Sequence, residues 1–193
     1  MDAFLISVGL VAVAEIGDKT QLLAMVLAAR FRRPAPIILG ILVATILNHA
    51  AAAALGFAVA RWLSGPAFQI LVAVGFIAMA AWALVPDKED DEAGARTAGG
   101  VFLTTAVAFF LVEIGDKTQI ATTLLAARFQ DIALVAAGTT LGMMIANVPA
   151  VLLGEAATRV VPLRYVRIAA AAVFATIGAW MLLAAFHRPG FSF

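Results

Sequence analysis

The chain contains no cysteine, so it has neither a disulfide framework nor a thiolate metal site, and its sequence carries no mark of redox compartment. Histidine is nearly as scarce, at two residues, which argues against a zinc or copper centre. Only 13% of the 193 residues are charged and the net charge is +1. No basic stripe is therefore present to bind nucleic acid. The N-terminus, Met1-Asp2-Ala3, has no basic cluster, and the apolar run behind it outlasts a signal-peptide core, so no cleaved signal is expected. Period-2 alternation is also missing, which argues against a transmembrane barrel.

What the chain has is apolar length. It is 64% hydrophobic, with a mean hydropathy of +1.03, outside the range of ordinary soluble domains. Apolar segments at 3–29, 36–60, 66–85, 101–127, 132–156 and 165–186 are each long enough to cross a hydrocarbon core of ~30 Å as a helix. The expected fold class is all-α, a polytopic membrane protein with six transmembrane helices. Arg30, Arg32, Arg33, Lys88, Arg96, Arg159, Arg164 and Arg167 fall on one side of this arrangement. Arg61, Arg128 and Arg188 fall on the other. By the positive-inside rule both termini are outside and residues 86–100 are cytoplasmic. The expected location is a prokaryotic inner (plasma) membrane. The acidic run Asp87, Glu89, Asp90, Asp91 and Glu92 reads as a solvated loop and lacks the spacing of a calcium-binding loop.

Within this apolar background the heptapeptide EIGDKTQ occurs twice, at 15–21 and 113–119. A shift of 98 positions superimposes residues 15–31 on 113–129 with twelve identities in seventeen, including LAARF at 27–31 and 125–129, and pairs Gly40 with Gly138 and Gly56 with Gly154. The chain thus divides into a first three-helix repeat (1–85), a linker (86–100) and a second three-helix repeat (101–193). A half with three crossings ends on the side opposite its start, so the second repeat is inverted. Such repeats place a substrate site near the bilayer midplane, where they meet.

On a regular helix Glu15, Asp18 and Lys19 share a face, as do Glu113, Asp116 and Lys117. Inversion brings the two faces together. Four carboxylates and two ammonium groups carry a net charge of −2, which one divalent cation neutralises. Gly17 and Gly115 allow either close helix approach or local unwinding; Thr20 and Thr118 point away from Glu15 and Glu113 on a regular helix, and a break redirects them and frees carbonyl oxygens as ligands. Gln21 and Gln119 are further candidate oxygen donors. Asn48 and Asn147 suit either ion coordination or interhelical hydrogen bonding. Oxygen ligands suit calcium, magnesium and manganese. One lysine against two acids in each motif leaves Glu15 or Glu113 to carry a proton when no cation is near. An ion pair that only fixes helix packing is the plainer alternative, but charges inside a membrane mark ion pathways. His49 reads as a packing residue with a possible relay role, Pro149 as a kink and Glu155 as an interfacial acid.

The duplicated E-x-G-D-[KR]-[ST] signature, one copy in the first helix of each half, resembles that of the divalent cation/proton antiporter family, which includes eukaryotic Golgi manganese and calcium transporters and bacterial manganese exporters. The resemblance implies a transporter rather than an enzyme, exchanging manganese or calcium for protons with no resident cofactor. It implies roles for Glu15, Gly17, Asp18, Lys19 and Thr20, and for Glu113, Gly115, Asp116, Lys117 and Thr118. The expected partners are the divalent ion, protons and the lipid bilayer; oligomeric state is left open. Two other readings fit parts of the pattern: an intramembrane aspartyl protease using Asp18 and Asp116, and an exporter of another cationic substrate.

Overall fold

The computed structural model describes residues 1–63, 65–85, 100–153 and 163–187. These residues form eight α-helices and no strand: α1 (Asp2–Glu15), α2 (Lys19–Phe31), α3 (Pro34–Trp62), α4 (Pro66–Ala83), α5 (Gly100–Glu113), α6 (Lys117–Phe129), α7 (Ile132–Leu153) and α8 (Leu163–His187). Most of the linker, together with Gly154, Glu155, Arg159 and Arg188, lies outside the described residues.

The segments expected as single helices at 3–29 and 101–127 are each two helices, and the motif is where they break. Ile16 leaves the helical region with ψ 116, and Gly17 then takes φ 79. Gly115 does the same with φ 76. Residues with a β-carbon pay a steric penalty in this left-handed region and glycine does not, so the chain can turn here and start again. Asp18 and Asp116, both extended, become the N-caps of α2 and α6.

Pro34–Trp62, Pro66–Ala83, Ile132–Leu153 and Arg164–His187 are each long and apolar enough to cross a membrane. The half-helices α1, α2, α5 and α6 have 13 or 14 residues. Each is only ~20 Å long at 1.5 Å per residue, too short alone for a hydrocarbon core of ~30 Å.

Packing is reciprocal between the halves. Helix α1 lies along α7, α5 and α6 lie along α3, and α4 packs on α8. A β-carbon at Gly40 would fall 2.9 Å from the carbonyl oxygen of Phe102 and 2.7 Å from Thr105 Cβ. One at Gly138 would fall 2.7 Å from the oxygen of Phe4 and 2.8 Å from Ser7 Cβ. The 98-residue shift converts each set of contacts into the other. Small residues here let helix backbones touch.

The contacts also give direction. Along α3, Gly40 meets Phe102, Asn48 donates to the carbonyl of Phe110, and Gly56 meets Thr123. Along α7, Gly138 meets Phe4, Gly142 meets Val8, and Ala146 accepts from Gln21. Both numbers rise together in each series. Helices α5 and α6 therefore follow α3 in one continuous sense, and α1 and α2 follow α7 likewise.

The surface is apolar and the interior is partly polar, the reverse of a water-soluble domain. Leu39, Leu47, Leu55, Leu71, Ile145 and Trp180 face outward, whereas Glu15, His49, Glu113, Thr118, Thr122 and Asn147 are at most 2% exposed. Apolar packing surrounds the polar centre. One cluster joins Leu10, Phe76, Leu125 and Phe174, with the Phe76 and Phe174 rings 6.3 Å apart; the other joins Leu27, Ile41, Phe109 and Ala150.

Candidate cation site

Each break is held by the last residue of its motif. The Gly17 N–H donates to Gln21 Oε1 at 2.8 Å, and the Gly115 N–H donates to Gln119 Oε1 at 2.7 Å. These are backbone donors that lost their helical acceptors at the break. Gln21 Nε2 also donates to the Ala146 carbonyl of α7 at 3.0 Å. The amide oxygens considered as ligands are thus engaged in closing the breaks.

The breaks of the two halves meet. Glu15 ends α1, Glu113 ends α5 and Asp116 caps α6; they are 0%, 1% and 4% exposed, and each offers a carboxylate oxygen within 4.8 Å of the other two. Lys19 of the other motif lies 3.0 Å from Asp116 Oδ1. Glu15 Oε2 accepts from Thr20 Oγ1 at 2.6 Å, and Glu15 Oε1 accepts from Thr118 Oγ1 across the halves. Three carboxylates and one ammonium group carry −2 when ionised. The C-terminal ends of α1 and α5 bring partial negative charge to the same place and the N-terminal ends of α2 and α6 partial positive charge, so the side chains set the sign of the centre. Such a centre repels anions and suits a divalent cation, with carboxylate and hydroxyl oxygens as the donors.

Identical heptapeptides have unlike surroundings. Glu15 is bonded by two threonines, whereas neither oxygen of Glu113 has a hydrogen-bond partner. Thr20 serves its own half's acid, and Thr118 serves the acid of the opposite half. Lys19 pairs with Asp116, but Lys117 donates to the Val85 carbonyl at 2.9 Å and stands 6.0 Å from the Trp82 ring centre. Asp18 is buried and stands outside the three-acid cluster. It lines a small open cleft with Gly17, Lys117, Met79 and Ala83 of α4, and Arg167 and Phe174 of α8.

The polar residues of α3 and α7 divide by role. Asn48 Nδ2 donates to the Phe110 carbonyl at 3.2 Å, an interhelical bond. Asn147 Nδ2 turns back to the Met143 carbonyl and sulfur, both at 3.1 Å, and leaves its Oδ1 buried without a partner. His49, expected to pack, has its Nε2 3.8 Å from Glu113 Oε1. Its alignment with Asn147 under the 98-residue shift was the available signal, because it places a polar residue at the same position of each half.

Comparison with known proteins agrees with this duplicated arrangement. The family described as "Divalent cation/proton antiporter GDT1" matches residues 3–91 and again residues 101–189. The chain is 49% identical over 175 residues, 90% of its length and 87% of the relative's, to a protein of Vibrio cholerae serotype O1 named "Putative manganese exporter". No solved structure matches it. The chain belongs to the divalent cation/proton antiporter family and is an integral membrane transporter of divalent cations.

Proposed function

We propose that this antiporter moves manganese out of the cytoplasm in exchange for protons, by alternating access about one site shared between its two motifs. The observation that carries the reading is the meeting of Glu15, Glu113 and Asp116, buried acids from both halves with oxygens within 4.8 Å of one another. A cluster with a net charge of −2 inside a membrane is costly unless a divalent cation or protons neutralise it. Either neutralises it, and the two compete. Metal binding expels protons from these carboxylates, and protonation releases the metal. The name of the Vibrio relative favours manganese as the cargo.

The architecture proposed is six crossings in two inverted repeats, 1–85 and 101–193, joined by a cytoplasmic linker at 86–100, with both termini outside. Its support is directional. Each pair of half-helices tracks one long helix in a single sense, so each pair acts as one broken span. At the breaks Glu15 meets Thr118 and Lys19 meets Asp116, an order that reverses between the strands of contact and so opposes the two broken spans. The cleft beside Asp18 opens between the C-terminal half of α4 and the N-terminal half of α8, the face that the basic residues assign to the cytoplasm. In this reading Asp18 receives the ion on that side and hands it to the three-acid cluster. Rocking of the halves would exchange the surroundings of the two motifs and open the opposite side.

Reconstituted vesicles with an imposed pH gradient test the proposal. Manganese flux should follow the proton gradient and stop in Glu15→Gln and Glu113→Gln. Flux indifferent to the gradient, or surviving in either variant, would defeat it.

A further inference from the structure

The acids explain why a divalent cation binds but not how one divalent cation is told from another, since calcium, magnesium and manganese all take carboxylate oxygens. His49 supplies a different donor. It lies in α3, is 0% exposed, and neither ring nitrogen has a hydrogen-bond partner. Its Nε2 is 3.8 Å from Glu113 Oε1, and both Glu113 oxygens also lack hydrogen bonds. That separation is too long for a hydrogen bond. It fits Nε2 and Oε1 as two donors on one ion, because ligand atoms each ~2.1 Å from a metal stand about 3 to 4.2 Å apart, and it puts His49 at the Glu113 edge of the three-acid group, which His49 does not itself join within 4.8 Å. Buried polar atoms in native proteins are nearly always partnered, and a bound ion is one group that satisfies such a pair.

Resting on the manganese reading above, we propose that His49 Nε2 is a ligand of the transported ion and sets the substrate class as first-row divalent transition-metal ions, against calcium and magnesium. Alkaline-earth cations take oxygen donors and gain little from imidazole, whereas transition ions accept nitrogen with rising affinity from manganese through iron to cobalt. The second half offers no such donor. Its equivalent residue is Asn147, whose unpartnered atom is an amide oxygen. The duplicated site is thus oxygen-only from one repeat and mixed from the other, and its selectivity comes from one residue of α3.

The test uses the purified full chain with any affinity tag removed, loaded with one equivalent of Mn²⁺ and examined by pulsed electron paramagnetic resonance with ¹⁴N- or ¹⁵N-labelled histidine. A nitrogen coupling is expected in the native protein and in His187→Gln, which alters the other histidine, and is expected to vanish in His49→Asn. Competition titrations should find cobalt bound more tightly than manganese, and His49→Asn should lower the preference for manganese over calcium by about tenfold. Manganese bound without nitrogen coupling, and still dependent on Glu15 and Glu113, overturns the role of His49 alone. Manganese bound equally well by Glu15→Gln and Glu113→Gln overturns the carboxylate site as well. The isotope comparison on the native chain decides the matter even if His49→Asn does not fold.

Discussion

Lys19 Nζ lies 3.0 Å from Asp116 Oδ1, so the ammonium group of the first motif is the counter-charge of the second. The pair ties the two halves at the level of the acids. It also makes the lysine part of the site's charge balance, because without it the cluster moves from −2 to −3.

Removing Lys19 should therefore destabilise the protein by more than the pair itself contributes, since Asp116 is left buried without its counter-charge. Lys19→Gln is expected to cost about 2–3 kcal/mol and Asp116→Asn less, because it also takes the cluster from −2 to −1; the double variant should cost less than their sum. Thermal unfolding of the four proteins in detergent forms the cycle. Additive losses would mean that the two groups do not interact.

The two aspartates should not be equivalent. Asp116 is in the three-acid cluster and Asp18 is in the cleft beside it. Asp116→Asn is expected to lower equilibrium manganese affinity by roughly a hundredfold, and Asp18→Asn by less than tenfold while slowing transport from the cleft side. Calorimetric titration and vesicle flux measured on the same preparations check both halves of this expectation.

Metal affinity should rise with pH and level off once the cluster carboxylates are ionised, because binding requires the ionised forms and expels their protons. The sign is fixed by competition: acidification releases the ion. Titrations in two buffers of different ionisation enthalpy count the protons released per ion. Zero protons with pH-independent affinity would separate the metal site from the proton path.

Gly17→Ala and Gly115→Ala should each cost about 1–2 kcal/mol through the left-handed backbone alone. Both should also impair transport, since a β-carbon favours continuing the helix through the break and would turn Thr20 or Thr118 away from Glu15. Unfolding midpoints and vesicle flux measured together would reveal a variant that is strained yet fully active, the result that removes the break from the mechanism.

Arg32 and Gln130 are equivalent under the 98-residue shift, and both are exposed helix caps with φ 52. If the repeats are inverted, they lie on opposite sides of the membrane. The chain has no native cysteine, so Arg32→Cys and Gln130→Cys can each be labelled cleanly. An impermeant reagent applied outside intact cells should reach residue 130 and not residue 32. Labelling of both from one side would exclude inversion.

Much of the site was legible because the heptapeptide repeats without change. The repeat nominated the acids and marked Gly17 and Gly115 as places for close helix approach or unwinding, although 3–29 and 101–127 still read as single helices. The identical LAARF segments end α2 and α6 with the same left-handed cap. Projection onto a regular helix failed at Asp18, because φ 79 at Gly17 turns the chain before the aspartate is reached. The same turn brings Thr20 onto Glu15. The unlike environments of Glu15 and Glu113 were not readable from two identical strings. They arise from neighbours contributed by other helices, such as His49 on one side and Thr118 on the other.

The reciprocal packing bears on how the protein is made. Helix α1 finds its main partner in α7, which is synthesised only after the whole first half and the linker have left the ribosome. Until then the first half sits in the bilayer with Glu15, Asp18 and Lys19 lacking the groups that bury and balance them. Assembly is consequently non-local, and contacts between partners far apart in the chain slow it. A truncated product would expose those charges to lipid, which gives membrane quality control a chemical difference by which to tell an unfinished chain from a finished one.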